Sequence, residues 1–227
     1  MRKVKGKCIE MVQLVNVTKQ FDHKNVLSDL SLSVGRNEFA CITGESGAGK
    51  TTLLNLIGLL EKPDSGELIL NGKKQFTKRE LRKLRRDFFG YVFQDYLLLP
   101  EKTVEENICI SKWEHRKTDR KELEEVMAKV GLDRSCLNKK VCHLSGGEQQ
   151  KAAIARMMLK QYELVLADEP TGNLDQRNKM DVIGILREIK KAGKTIICVT
   201  HDQEVAAAAD RVINLARPLY TNSVRKQ

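Results

Sequence analysis

The sequence predicts an α/β fold: a parallel-sheet core, further strands ahead of it, and an α-helical segment inserted into it. Three observations lead there. Phe39–Thr43, Leu164–Ala167 and Thr195–Thr200 are short apolar runs, as expected of strands buried on both faces. Helical stretches at Thr51–Leu60 and Lys179–Lys191 alternate with them, the pattern of a parallel sheet. The middle of the chain, roughly Thr103–Lys160, has helical periodicity instead.

Each element has its own local signal. Leu30, Leu32 and Val34 alternate with serines, as in a half-buried strand. Glu67–Leu70 reads as a strand running into a tight hairpin turn at Asn71-Gly72. Phe89–Phe93 is a further strand. In the middle segment Leu123, Val126, Met127 and Val130 line one helical face, and Gly131 is placed to cap it. The helix Lys179–Lys191 ends before Gly193, and a last core strand falls near Val212–Leu215. There is no internal repeat and no low-complexity segment.

The 227 residues allow one large domain with a smaller lobe. The expected division is 1–94 with 161–227 for the β portion and core, and 95–160 for the helical lobe. The net charge of +10 fits a nucleic acid, an anionic membrane surface, a phosphorylated ligand, or solubility alone. Cys8, Cys41, Cys109, Cys136, Cys142 and Cys198 show no Cys-x-x-Cys or zinc spacing. They read as buried free thiols in a reducing compartment. No apolar run follows the basic Met1–Lys7, and Leu53–Leu60, broken by Asn55 and Gly58, is too short to span a bilayer. A cytoplasmic protein is expected, one that works at a membrane only through another protein.

The strongest motif is Gly44-Glu45-Ser46-Gly47-Ala48-Gly49-Lys50-Thr51, which fits G-x-x-x-x-G-K-[ST] at every fixed position. Glycines let such a loop wrap so that backbone N–H groups point at phosphate oxygens. Lys50 brings a cation to the β- and γ-phosphates, Thr51 offers a hydroxyl to Mg²⁺, and the following helix N-terminus favours the anion. The motif also follows an apolar strand and opens a helix, as the mechanism requires. Leu164–Glu169 then delivers Asp168 and Glu169 at the carboxyl end of a strand, the ligand edge of a parallel sheet. Asp168 is expected to hold Mg²⁺ through water and Glu169 to polarise an attacking water.

A second glycine-rich helix start, Leu144-Ser145-Gly146-Gly147-Glu148-Gln149-Gln150, is followed by Lys151–Arg156. With it the chain resembles the ABC ATPase family along nearly its whole length. The order of cradle, Gln94, signature, acidic pair and His201 is the family order. The resemblance implies a P-loop NTPase (RecA-like) core with an N-terminal antiparallel β subdomain and an inserted helical signature subdomain. It implies ATP and Mg²⁺ as ligands. Gly44 to Thr52 would cradle the phosphates, and Phe21 would stack on adenine unless it is a core aromatic. Thr51, Gln94 and Asp168 would organise the metal. Glu169, His201, Lys50 and Gln94 would carry hydrolysis. Ser145, Gly146 and Gly147 would cap the γ-phosphate of a partner copy, and Asp175 would lie in the loop crossing that interface. A homodimer formed on ATP binding and an integral-membrane permease are the implied partners, with no nucleic acid.

The segment Asp168–Asp175 resembles the branch of lipoprotein-releasing, macrolide-exporting, peptide-resistance and cell-division ATPases, and Leu98–Asn107 resembles bacteriocin-export members. Lys151 departs from the family's usual arginine, keeping the charge without the bidentate fork. The resemblance implies export or extraction of a peptide, lipid-linked or hydrophobic substrate. Force transmission by a cell-division-like member stays open. A DNA-repair ATPase fits less well, since sustained heptads, zinc spacing and basic–aromatic interleaving are all missing. Tyr96–Leu99 is either a groove wall for the permease or plain core. The basic stretch Lys73–Arg86 is either a solvated helix face or a lipid-facing one.

Overall fold

The computed structural model describes residues 10–22, 24–112 and 119–216. Met1–Lys7 and Cys8 lie outside them. Strands β1 (Glu10–Phe21), β2 (Lys24–Gly35) and β4 (Ser65–Leu70) form an antiparallel sheet in the order β2-β1-β4. Strands β3 (Phe39–Thr43), β5 (Phe89–Val92), β6 (Leu164–Asp168), β7 (Thr195–Val199) and β8 (Arg211–Asn214) form a parallel sheet in the order β5-β6-β7-β3-β8.

The apolar runs are explained by their place in that second sheet. Alternate residues of β6 and β7 enter two different cores. Val165, Ala167, Ile196 and Cys198 face the helical side. Leu164, Leu166, Ile197 and Val199 face the side shared with the antiparallel sheet. With both faces covered, no polar alternation survives in the sequence.

Helix α1 (Lys50–Ile57) follows β3 directly. The parallel neighbours β5 and β6 are joined by α3 (Val104–Cys109), α4 (Arg120–Val130) and α5 (Gly146–Met158). The helical segment is therefore an insertion between adjacent strands. Leu123, Val126, Met127 and Val130 are the buried residues of α4, and Gly131 ends it at φ 67°. Helix α6 (Gln176–Lys191) begins slightly ahead of its apolar stripe, because Asp175 caps it. The short α7 (Gln203–Ala208), which no pattern announces, follows β7.

Two expectations need correction. Asn71 and Gly72 do make a tight turn with positive φ at both, but it closes only a Leu70–Lys73 bridge. The partner of β4 is β1, from far back in the chain, and the chain after the turn proceeds to α2 (Lys78–Asp87). Of the thiols, Cys41, Cys136 and Cys198 are buried, but Cys109 is half-buried and Cys142 exposed. The basic stretch ends in α2, which buries no residue fully and whose lysines and arginines are all exposed. Among the described residues no helix is long and apolar enough to cross a membrane.

Candidate functional site

The loop between β3 and α1 is fixed from below and open above. Ala48 is fully buried in the core between the two sheets. Gly49 caps α1 in the left-handed region at φ 89°, and a Cβ there would lie 2.9 Å from Val26 and Leu27 atoms. Only glycine suits both conditions. No side chain caps α1, so its first-turn N–H groups are left for an anion. Lys50 Nζ arches back over the loop and donates to Gly44 O and Glu45 O, each at 2.9 Å.

Around this loop lies a cleft of about 440 Å³ lined by Ser46, Gly47, Lys50, Thr51, Asp168 and Glu169, among others. Gly49, Thr52 and Gln94 also line it, as does Val26, which the sequence did not single out. Residues from four separate stretches thus converge on one site. Burial pushes the Asp168 carboxyl upward, opposed by a hydrogen bond with the Thr51 side chain and by the charge of Lys50. Gln94 extends from the end of β5 and packs its amide over Gly172.

Glu169 sits just past β6 at φ 45°, a left-handed conformation unusual for glutamate. It is held there from several sides. Its N–H donates to Val199 O at 2.9 Å. Oε2 accepts from the Thr200 hydroxyl at 2.9 Å and from His201 N at 3.3 Å. Oε1 lies 2.9 Å from His201 Nδ1. His201 itself is exposed. Thr200, fully buried, is a site residue that sequence reasoning missed; its only signal is its place between β7 and His201.

The His201 turn is braced behind. Asp202 N donates to Thr200 Oγ1 at 3.0 Å, and Lys179 Nζ of α6 pairs with Asp202 and Glu204 at 2.8 and 3.2 Å. On the signature helix, Gln150 Nε2 donates to Pro170 O at 2.6 Å, tying α5 to the loop after Glu169.

The other expected site residues stand elsewhere. Ser145, Gly146, Gly147 and Asp175 do not line the cleft of their own chain. Ser145 caps α5 in a reciprocal box with Glu148. Gly147 is buried where a Cβ would collide with the Asn178 side chain. Asn178 in turn donates Nδ2 to Asp175 Oδ2 at 2.7 Å. The signature and the Asp175 loop are therefore one packed unit. Phe21 is 45% exposed, with Lys19 Nζ 5.1 Å from its ring centre, which removes the core-aromatic reading. Leu97 and Leu99 are exposed as well, so Tyr96–Leu99 is not plain core.

The ABC transporter family model matches residues 27–172, more than half of the chain. This chain belongs to that family. The cassette is 40% identical over 216 residues to the macrolide export ATP-binding/permease protein MacB of Burkholderia pseudomallei, covering 91% of this chain. It spans about a third of the length of that relative, 33%. The MacB protein of Chlorobaculum tepidum is 38% identical, over 96% of this chain and 34% of its own. A solved dimeric bacterial ABC transporter cassette superposes with a TM-score of 0.83 at 36% identity, covering 91% of this chain and 95% of its own. A post-hydrolysis dimer bound to ADP and Pi superposes with a TM-score of 0.82 at 37% identity, covering 90% and 94%.

Proposed function

We propose that this ABC cassette binds Mg-ATP in the cleft above the Gly44–Thr51 loop, hydrolyses it as a dimer, and thereby drives a membrane permease of the exporting branch. The observation that carries the reading is the convergence of Lys50, Thr51, Gln94, Asp168 and Glu169 on one cleft.

The donor set suits the metal. Thr51 and Asp168 offer a hydroxyl and a carboxylate on the same cleft. Oxygen ligands of that kind, with substrate phosphates completing the shell, are what Mg²⁺ takes. Among the described residues no cluster of three or more His, Cys, Asp or Glu side chains is placed to hold a metal, and this mode does not need one. When bound, Mg²⁺ would neutralise charge on the phosphates.

The chain's own residues then divide the work. The Gly44–Thr52 backbone and Lys50 hold the triphosphate and stabilise the charge that spreads over the γ-phosphoryl oxygens. Glu169, fixed by Thr200 and His201, orients the attacking water and accepts its proton. His201 contacts the γ-phosphate, and Gln94 senses the occupied site. Phe21 offers a ring face to adenine. Ser145, Gly146 and Gly147, exposed or at the start of α5 and away from their own cleft, cap the phosphate of a second copy. Asp175 lies at that same seam. Two incomplete sites thus become complete by pairing, and hydrolysis removes the bridging charge.

On this reading 1–94 with 161–227 form the β subdomain and core, and 95–160 the helical signature subdomain. The permease meets the exposed Leu97 and Leu99 at the helical side, with the cassette on the cytoplasmic face of the membrane. The proposed substrate is a peptide, lipid-linked or hydrophobic molecule moved outward; the relatives named for macrolide export support the outward direction, and the bacteriocin refinement gains nothing from them.

Glu169→Gln tests the reading. It keeps ATP binding, slows hydrolysis by at least about 100-fold, and accumulates as a nucleotide-bound dimer in gel filtration with Mg-ATP. A variant that stays monomeric at high concentration, or turns over like the parent, contradicts it.

A further inference from the structure

The turn that follows Gln94 has an unusual backbone. Tyr96 and Leu97 are consecutive non-glycine residues in the left-handed region, at φ 56° and 48°. Such residues are rarely left-handed, and two in succession persist only where the surroundings hold them. The holding group is on another element. Arg156, in the last turn of α5, donates through NH1 to Leu97 O at 2.5 Å and through NH2 to Tyr96 O at 2.9 Å. Burial disfavours the charge on this guanidinium, and both of these acceptors are backbone carbonyls.

The same turn also touches the other end of α5. The Tyr96 hydroxyl lies 3.2 Å from where a Cβ on Gly146 would stand. The turn thus runs as a strap along the signature helix, pinned by Arg156 at one end and abutting Gly146 at the other. Only Asp95 separates it from Gln94, which lines the nucleotide cleft.

We propose that Arg156 is a positioning residue for hydrolysis: by clamping the left-handed Tyr96–Leu97 backbone it fixes Gln94 in the cleft and keeps Gln94 in register with the signature helix. The planar fork is required because two carbonyls must be held at once. A lysine supplies the charge but serves them poorly together. When the clamp loosens, Tyr96 and Leu97 relax toward ordinary backbone and Gln94 shifts with them. The inference rests on the ATPase reading above for its kinetic half only.

The test uses Arg156→Lys, which keeps charge and most of the packing, in the full chain. Hydrogen exchange over residues 93–99 and steady-state ATP hydrolysis are measured on the same samples. The expected result is faster exchange in that segment and a kcat lower by at least about tenfold. KM stays within about twofold, since the phosphate cradle is untouched. The second variant adds Leu97→Asn, because asparagine accepts the left-handed region more readily and Leu97 is 56% exposed. In the Arg156→Lys background it slows exchange again and recovers about threefold of the lost kcat. A stability defect alone predicts no such recovery. The proposal is overturned by unchanged exchange in Arg156→Lys, by faster exchange with kcat intact, or by failure of Leu97→Asn to recover either. Turnover that survives Lys50→Ala in the parent sinks the ATPase reading instead, while the exchange data still decide the clamp.

Discussion

Glu169 Oε1 and His201 Nδ1 lie 2.9 Å apart, so the carboxylate at the end of β6 and the imidazole after β7 act as one unit. The link is possible because β6 and β7 are parallel neighbours in register, with Asp168 opposite Val199. The acid then turns left-handed toward the histidine, and the Thr200 hydroxyl holds its second oxygen. In the proposed role of orienting water, the carboxylate gains from being held from two sides before substrate arrives.

Thr200→Val is nearly isosteric and removes that hydroxyl. It leaves Glu169 Oε2 with one donor fewer and Asp202 N without its acceptor. The kcat for ATP falls about tenfold while ATP affinity, measured by equilibrium titration, changes little.

Gly49→Ala places a methyl 2.9 Å from Val26 and Leu27 atoms in a left-handed backbone. The loop must move, and the N–H groups proposed to hold phosphate move with it. ATP binding weakens by at least about tenfold, equivalent to roughly 1.4 kcal/mol. Calorimetric titration reads this directly.

Lys151 is buried beneath the signature, with its Nζ 2.6 Å from Asp181 Oδ2 on α6. Lys151→Ala loses the stem's packing and the bond, about 1–2 kcal/mol together. The melting temperature falls by roughly 3–6 °C. Lys151→Arg restores the family's usual residue, and its melting temperature matches or exceeds that of the parent.

Asp210 accepts the Phe39 N–H at 2.8 Å and pairs with Lys190 at 3.1 Å, fastening the start of β3 to the end of α6. The Phe39 N–H, then Lys190, hold its carboxyl below the ordinary 3.8. A depressed carboxylate stabilises fully above its unfolded pKa and loses that contribution as pH falls through the folded value. Asp210→Ala therefore melts about 2–4 °C below the parent at pH 7, the half-exposed ion pair adding little. Below pH 3.8 the gap narrows, because the parent loses the same interaction. Melting curves across that window check the sign.

The core and the cradle were legible because their signals are local. Buried parallel strands leave unbroken apolar runs, and the phosphate loop needs its glycines at fixed spacing. What could not be read came from tertiary placement. Asn71-Gly72 has the composition of a hairpin, but the partner of β4 is decided by the sheet, and that partner is β1. Cys142 sits at a site whose exposure depends on how the helical lobe folds back. Thr200 shows its use only once β6 and β7 are side by side. The Arg156 clamp joins residues about sixty positions apart, and no spacing rule connects an arginine on α5 with two carbonyls after Gln94.

The central claim is a site completed by a second copy, and a crystal structure of Glu169→Gln grown with Mg-ATP tests it most directly. The account predicts Ser145 Oγ of one copy at about hydrogen-bond distance, roughly 3 Å, from the terminal phosphate held by Lys50 of the other. If Ser145 is far from every terminal phosphate in all assemblies of that crystal, the account is wrong.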